Sequence, residues 1–206
     1  YVNTYADVKA ECDLCCTSGN AAAVVESLKE DAVIFLPDEY LARNVAQQTG
    51  KRIIFPSQSE DVTGSDYQMI GWNARCEVHE RFTTEDIAKV RSEYPDAVIL
   101  AHPECSPQVT EAADFAGSTS LMIKHVEESS ASRFLLLTEC AMGDNVAAAN
   151  PNKEILNMCR LRCPHMEKVT LENVLDALKH NRQVIDVPED IRIKAVRSVE
   201  RMLAIG

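Results

Sequence analysis

At 206 residues and 46% hydrophobic composition, the chain can bury one large core or two smaller ones. Its formal net charge of −11 sets a repulsive field against polyanions, which argues against DNA or RNA as a ligand. Small anions held by local donors stay allowed. No run reaches about 18 apolar residues and no basic-then-apolar start is present, so neither a membrane span nor a signal peptide is expected. The first residue is not Met, and YVNTY reads like the end of a strand, so a further segment is expected upstream.

In chain order, residues 20–30 predict a helix, DAVIFLP (31–37) a buried strand, 39–48 a helix and KRIIF (51–55) a strand. The stretch 55–71 reads as a surface insertion before Cys76. A helix follows over 84–94, where Ile87, Val90 and Tyr94 keep helical spacing behind an N-cap at Thr83. DAVILA (96–101) predicts a strand, 108–115 and 120–128 helices, and RFLLLT (133–138) a strand. The last predicted elements are a helix over 171–180 and a strand at QVIDV (183–187). Strands alternating with helices of this length indicate an α/β fold with parallel sheets.

The chain also resembles itself. At an offset of 101, Asp13 falls on Asp114, NVA (44–46) on NVA (145–147), and Tyr1-Val2-Asn3 on His102-Pro103-Glu104. After one gap the offset is 87, and Cys76 falls on Cys163, Glu85 on Glu172 and Val98 on Ile185. Shared cysteine phase on top of shared element order indicates a true repeat.

Eight cysteines in a long chain without a secretion signal fit a reducing, cytoplasmic setting, where cysteines are core filler, catalytic or metal-bound. Cys76 and Cys163 each lie in a loop before a helix at the same phase. Two inert core thiols are the competing reading. Zinc would want four ligands, whereas one thiolate per unit suits an iron–sulfur cluster with an open iron. His79 lies close to Cys76 and so near any metal, while His125 and His180 fall on helices facing solvent. Cys12, Cys15, Cys16, Cys105, Cys140 and Cys159 lack a repeat partner at that phase and read as structural. His102 and Glu104 follow a strand, where an α/β sheet presents its ligand crevice, and could move protons. An exposed loop is the alternative. TSGN (17–20) and GSTS (117–120) each precede a helix; they are helix caps or anion sites opening on one crevice.

YVNTYADVKA, CCTSGNA, GWNARCEVHERF, PDAVILAHPEC, ADFAGSTSLMI, TECAMGDN and CPHMEKVTLENVLDAL, in this order, resemble the quinolinate synthase family, the A protein of bacterial NAD biosynthesis. The resemblance implies repeated three-layer α/β/α units in a pseudo-threefold arrangement about a [4Fe–4S] cluster, with one cysteine from each unit. Cys76 and Cys163 match the second and third ligands. Residues 1–94 would be the second unit, 95–182 the third, and 183–206 a segment packing on a first unit upstream. That first unit would carry the third cysteine, so the 206-residue chain alone is expected to be inactive.

The implied reaction condenses iminosuccinate, supplied by L-aspartate oxidase, with dihydroxyacetone phosphate. It yields quinolinate, phosphate and water, with the cluster as Lewis acid. Tyr1, Val2, Asn3, Ser18, His79, His102, Pro103, Glu104 and Thr119 would bind substrate. Glu104 would act as base or acid, assisted by His102 and Tyr1. A different [4Fe–4S] dehydratase and a non-catalytic zinc-binding module are the rival readings.

Overall fold

The computed structural model describes residues 1–56, 66–156 and 162–205. The first half holds helices α1 (Ala6–Ala10) and α2 (Ala21–Ser27), strand β1 (Val33–Phe35), helix α3 (Glu39–Thr49) and strands β2 (Ile53–Ile54) and β3 (Met69–Gly71). A 3-10 turn (His79–Arg81) and helix α4 (Thr84–Glu93) lead to β4 (Val98–Ala101). Then come α5 (Pro107–Ala112), β5 (Phe115–Ala116), α6 (Thr119–Glu128), β6 (Arg133–Leu137), α7 (Cys140–Ala149) and β7 (Glu154–Leu156). A second 3-10 turn (Met166–Lys168), α8 (Leu171–His180) and α9 (Glu189–Leu203) complete the described elements.

The strands form two sheets of order β1-β3-β2 and β5-β4-β6-β7, and every pairing is parallel. The second sheet is covered on both faces. Ile99, Ala101, Leu135 and Leu137 point into one apolar cluster, and Leu100, Phe134 and Leu136 into another. Strands buried on both sides have no polar face, which is why they read as unbroken apolar runs. Their period of two shows only in which cluster each residue joins.

Element order repeats with the sequence. The helices α3 and α7 follow β1 and β6, and each is capped by the carboxylate just before it, Asp38 or Glu139. The 3-10 turns and the helices α4 and α8 also correspond. Both helices start behind a threonine in a capping box, Thr83 with Asp86 and Thr170 with Asn173. α4 sends Ile87 and Val90 into the core under the second sheet, so a helix ending one repeat covers the sheet of the next.

Two expectations need correcting. Residues 183–187 form no strand; Val184 and Ile185 are exposed, at 72% and 84%. The segment is apolar enough to pair, but no described sheet edge lies beside it. Nor is the stretch 55–71 a surface insertion throughout. Met69–Gly71 is the central strand of the first sheet, with Met69 fully buried. Three residues were too short an apolar run to signal a strand; residues 57–65 lie outside the described part.

The final helix α9 packs on α1. Ser198 donates to the Lys9 carbonyl at 3.0 Å, Cys15 N–H donates to the Ser198 carbonyl at 3.0 Å, and Arg201 reaches the Asp13 carbonyl at 3.0 Å. No helix among the described residues is long and apolar enough to cross a membrane.

Candidate functional site

The carboxyl ends of β1, β4 and β6 open toward the same region. The chain leaving β4 turns at once: His102 N–H donates to the Leu137 carbonyl at 3.2 Å and Cys105 N–H to the His102 carbonyl at 2.9 Å. Asn44 on α3 clamps this loop, donating to the carbonyls of Pro103 (2.7 Å) and Cys105 (2.9 Å). His102 is thereby buried at 3% exposure, which removes the exposed-loop reading.

His79, delivered by the first 3-10 turn, is the hub. Its Nδ1 lies 3.1 Å from Cys76 Sγ and 3.2 Å from Glu104 Oε2. Its Nε2 lies 3.0 Å from the Thr138 hydroxyl at the end of β6. A hydroxyl donating to Nε2 leaves the proton on Nδ1, directed at the carboxylate and the sulfur. His102 Nδ1 stands 3.3 Å from the same Glu104 oxygen, and the two imidazoles stack with centroids 4.4 Å apart.

The electrostatics follow from this enclosure. Burial alone would raise Glu104, but hydrogen bonds from His102 and His79 outweigh it and hold the carboxyl down at about 2. Burial lowers His79, so its imidazole favours the neutral form. Burial, helped by the Glu104 charge, pushes Tyr1 up to about 12, against a hydrogen bond with Ser18. Burial also raises Asp38 to about 6, despite the N–H of Leu41 donating to it, and raises the Cys76 thiol.

Cys76, His79 and Glu104 bring potential ligand atoms within 4.8 Å of one another. Cys163 is not in that group, but its loop is adjacent: His165 Nε2 pairs with Glu77 Oε1 at 3.0 Å. Both cysteines are half-buried and pack on the edge of one apolar cluster, unlike Cys15, Cys16, Cys105 and Cys140, which are buried. Cys12 is half-buried but lines an apolar cleft, and Cys159 lies outside the described residues. Two half-buried thiols at one cluster edge are donors of the type an iron–sulfur group uses.

Of the other expected residues, Ser18 reaches Tyr1. The two Ser/Thr loops meet: a Cβ on Gly19 would come within 3.1 Å of Ser118 Oγ. Val2 N–H donates to the Cys16 carbonyl at 2.7 Å. Asn3 and Thr119 are exposed and, among the described residues, take no part in the buried cluster. His125 is not simply solvent-facing, since it stacks on Phe115 at 4.7 Å.

A family model described as "Quinolinate synthetase A protein" matches residues 1–204. The chain belongs to the quinolinate synthetase A family. It is 50% identical over 205 residues to quinolinate synthase 2 of Mesorhizobium japonicum, covering 100% of this chain and 58% of that protein. It is 48% identical over 205 residues to the quinolinate synthase of Xylella fastidiosa 9a5c, covering 100% of this chain and 56% of the relative. It is 46% identical over 207 residues to that of Caulobacter vibrioides, covering 98% and 52%. The chain thus spans about half the length of the curated relatives it matches.

Within this member of the quinolinate synthetase A family, sequence reasoning missed Asp38, Asn44, Thr138 and Glu139. The signal for Asn44 was present in the repeated NVA tripeptide. Asp38 and Glu139 share the offset of 101 at the ends of their strands. Thr138 carried no signal of its own.

Proposed function

We propose that the chain forms part of a quinolinate synthase, condensing iminosuccinate with dihydroxyacetone phosphate to quinolinate, phosphate and water. Family membership supports the activity. The observation that carries the site is Glu104, an ionised carboxylate with one oxygen at the Nδ1 edges of two stacked imidazoles, beside the Cys76 thiol. Cys76 and Cys163 would hold a [4Fe–4S] cluster together with a thiolate from outside this chain. When bound, the cluster would supply an open iron as Lewis acid for a substrate hydroxyl or carboxylate.

The chain's own residues divide the remaining work. Glu104 is ionised at neutral pH and is assigned the proton-acceptor role toward the condensing substrates; the contacts that hold it at about 2 also weaken it as a base, so it would act as substrate displaces a histidine contact. Tyr1 keeps its phenol proton and can donate it to a departing oxygen. His79 and His102 orient the Glu104 carboxylate. Ser18, Asn3 and Thr119 side chains would hold carboxylate and phosphate groups at short range, where donors outweigh the net charge of −11, while Val2 and Pro103 would contact substrate by packing, since the Val2 N–H is committed to the Cys16 carbonyl and Pro103 has none. L-Aspartate oxidase is the expected source of iminosuccinate.

The convergence of Cys76, His79 and Glu104 also suits a zinc-binding module. Anaerobic reconstitution of the full-length protein separates the readings. Iron and sulfide with quinolinate formation support the synthase; one zinc, or a cluster-loaded protein that makes no quinolinate, overturns it. Glu104→Gln should keep its iron and sulfide and lose turnover by about 10²-fold or more. Normal turnover in that variant would remove Glu104 from the mechanism.

A further inference from the structure

The two cysteine loops are tied down by the same device, built twice. At the end of β1, Asp38 uses one carboxylate oxygen, Oδ1, to cap α3, accepting from Leu41 N–H at 2.7 Å. Its other oxygen, Oδ2, accepts from the backbone N–H of Cys76 at 3.0 Å. At the end of β6, Glu139 uses Oε2 to cap α7, accepting from Ala141 N–H at 2.7 Å. Its Oε1 accepts from the backbone N–H of Cys163 at 3.4 Å. The carboxylates are related by the 101 offset and the cysteines by the 87 offset.

A helix cap needs only one acceptor, and Ser, Thr or Asn would supply it. These caps reach a distant amide through a second, separate oxygen, and only Asp and Glu carry two acceptor oxygens on one side chain. The longer Glu139 compensates by capping the helix one residue earlier than Asp38 does. Asp38 is held further: Glu39 N–H donates to the Ala74 carbonyl at 2.7 Å, pinning the loop that runs into Cys76. Asp38 is 4% exposed, so its second oxygen has little water to fall back on.

We propose that Asp38 and Glu139 are positioning residues that hold the Cys76 and Cys163 backbones in register, so that both thiols face one iron–sulfur group. The proposal rests on the reading of these cysteines as cluster ligands. It assigns each unit one carboxylate with two tasks, starting the helix and fixing the ligand loop. An amide in place of the carboxylate offers one acceptor, so one of the two bonds is lost and an N–H faces an NH₂.

The test uses the full-length protein, with and without cluster. In the cluster-free form, iodoacetamide alkylation of each cysteine is followed by mass spectrometry at fixed pH. Asp38→Asn should speed Cys76 alkylation about five- to tenfold and leave Cys163 unchanged. Glu139→Gln, at a half-buried and more tolerant position, should do the converse. Asp38→Glu should restore the slow rate, because Glu fills this role at 139. Thr83→Ala, which removes the α4 cap hydroxyl without touching either cysteine, controls for loss of a helix cap. The cluster-loaded Asp38→Asn protein should show an altered electron paramagnetic resonance spectrum on reduction, while Thr83→Ala should not. Unchanged alkylation of Cys76 in Asp38→Asn and of Cys163 in Glu139→Gln would overturn the proposal and leave both carboxylates as helix caps. Cys76→Ser tests the underlying reading separately. If it retains the full cluster while the alkylation pattern holds, the ligand reading fails and the loop-holding role stands.

Discussion

Thr138 illustrates how one hydroxyl can govern a buried imidazole. It follows β6, is 6% exposed, and supplies the contact on the far side of the His79 ring from Glu104. Without it Nε2 would be a buried, unpaired acceptor, and the proton could move to the wrong nitrogen. Thr138→Val keeps the shape and removes the donor. We expect it to lower unfolding stability by about 1–3 kcal/mol and to slow quinolinate formation without releasing the cluster. Thermal melts and iron content check the two halves; an unchanged melt would show that water satisfies Nε2. Thr138 was not legible in the sequence, because a single threonine after an apolar run carries no mark of what lies across from it. Glu104 and His102 were legible as a pair after a strand, and Cys76 and Cys163 by their shared phase.

The helices α4 and α8 show what one element becomes in two surroundings. Both are ten residues long and start in a threonine capping box, as the 87 offset requires. α4 buries Ile87 and Val90 beneath the second sheet. α8 buries none of its residues among those described; Leu171 is 81% and Leu178 78% exposed. The apolar stripe is a property of the sequence, whereas its burial depends on a sheet being there to receive it. An uncovered stripe of this kind promotes self-association. In the 206-residue chain, Leu171→Lys with Leu178→Lys should reduce self-association measured by sedimentation and leave the melting temperature nearly unchanged. A fall in melting temperature would mean that the stripe is packed in solution. The same contrast explains why QVIDV was predicted as a strand: its composition is that of a strand, but pairing needs a neighbouring edge.

For the molecule as a whole, charge ties the two layers of the site together. Glu39 on α3 pairs with Arg43 at 2.8 Å and with Arg75, just before Cys76, at 2.9 Å. Burial would raise the Glu39 carboxyl, but the hydrogen bonds from Arg75 and Arg43 outweigh it and hold it below its ordinary 4.5. The folded pKa is therefore the lower one. This stabilisation is fully present above pH 4.5 and is lost as pH falls through the folded value. Glu39→Gln should cost about 1–2 kcal/mol at pH 7, discounted because both arginines are about 40% exposed. It should also flatten the fall in stability below pH 4.5. Urea titrations at pH 7 and in steps below pH 4.5 check this; parallel curves for the two proteins would show that the pairs contribute nothing.

Taken alone, the sequence determined the class of fold, much of the order of its strands and helices, and the doubling of the unit, but it announced neither α7 nor α9. These are encoded by periodicity and by capping residues, which act over a few neighbouring positions and need no partner. It also marked Cys76 and Cys163 as a related pair. Tertiary structure alone decided that His79, His102, Glu104 and Thr138 meet, because two strand ends and a 3-10 turn converge there. Packing of helices on sheets sets those distances, and residues 79, 104 and 138 share no local signal that could announce it.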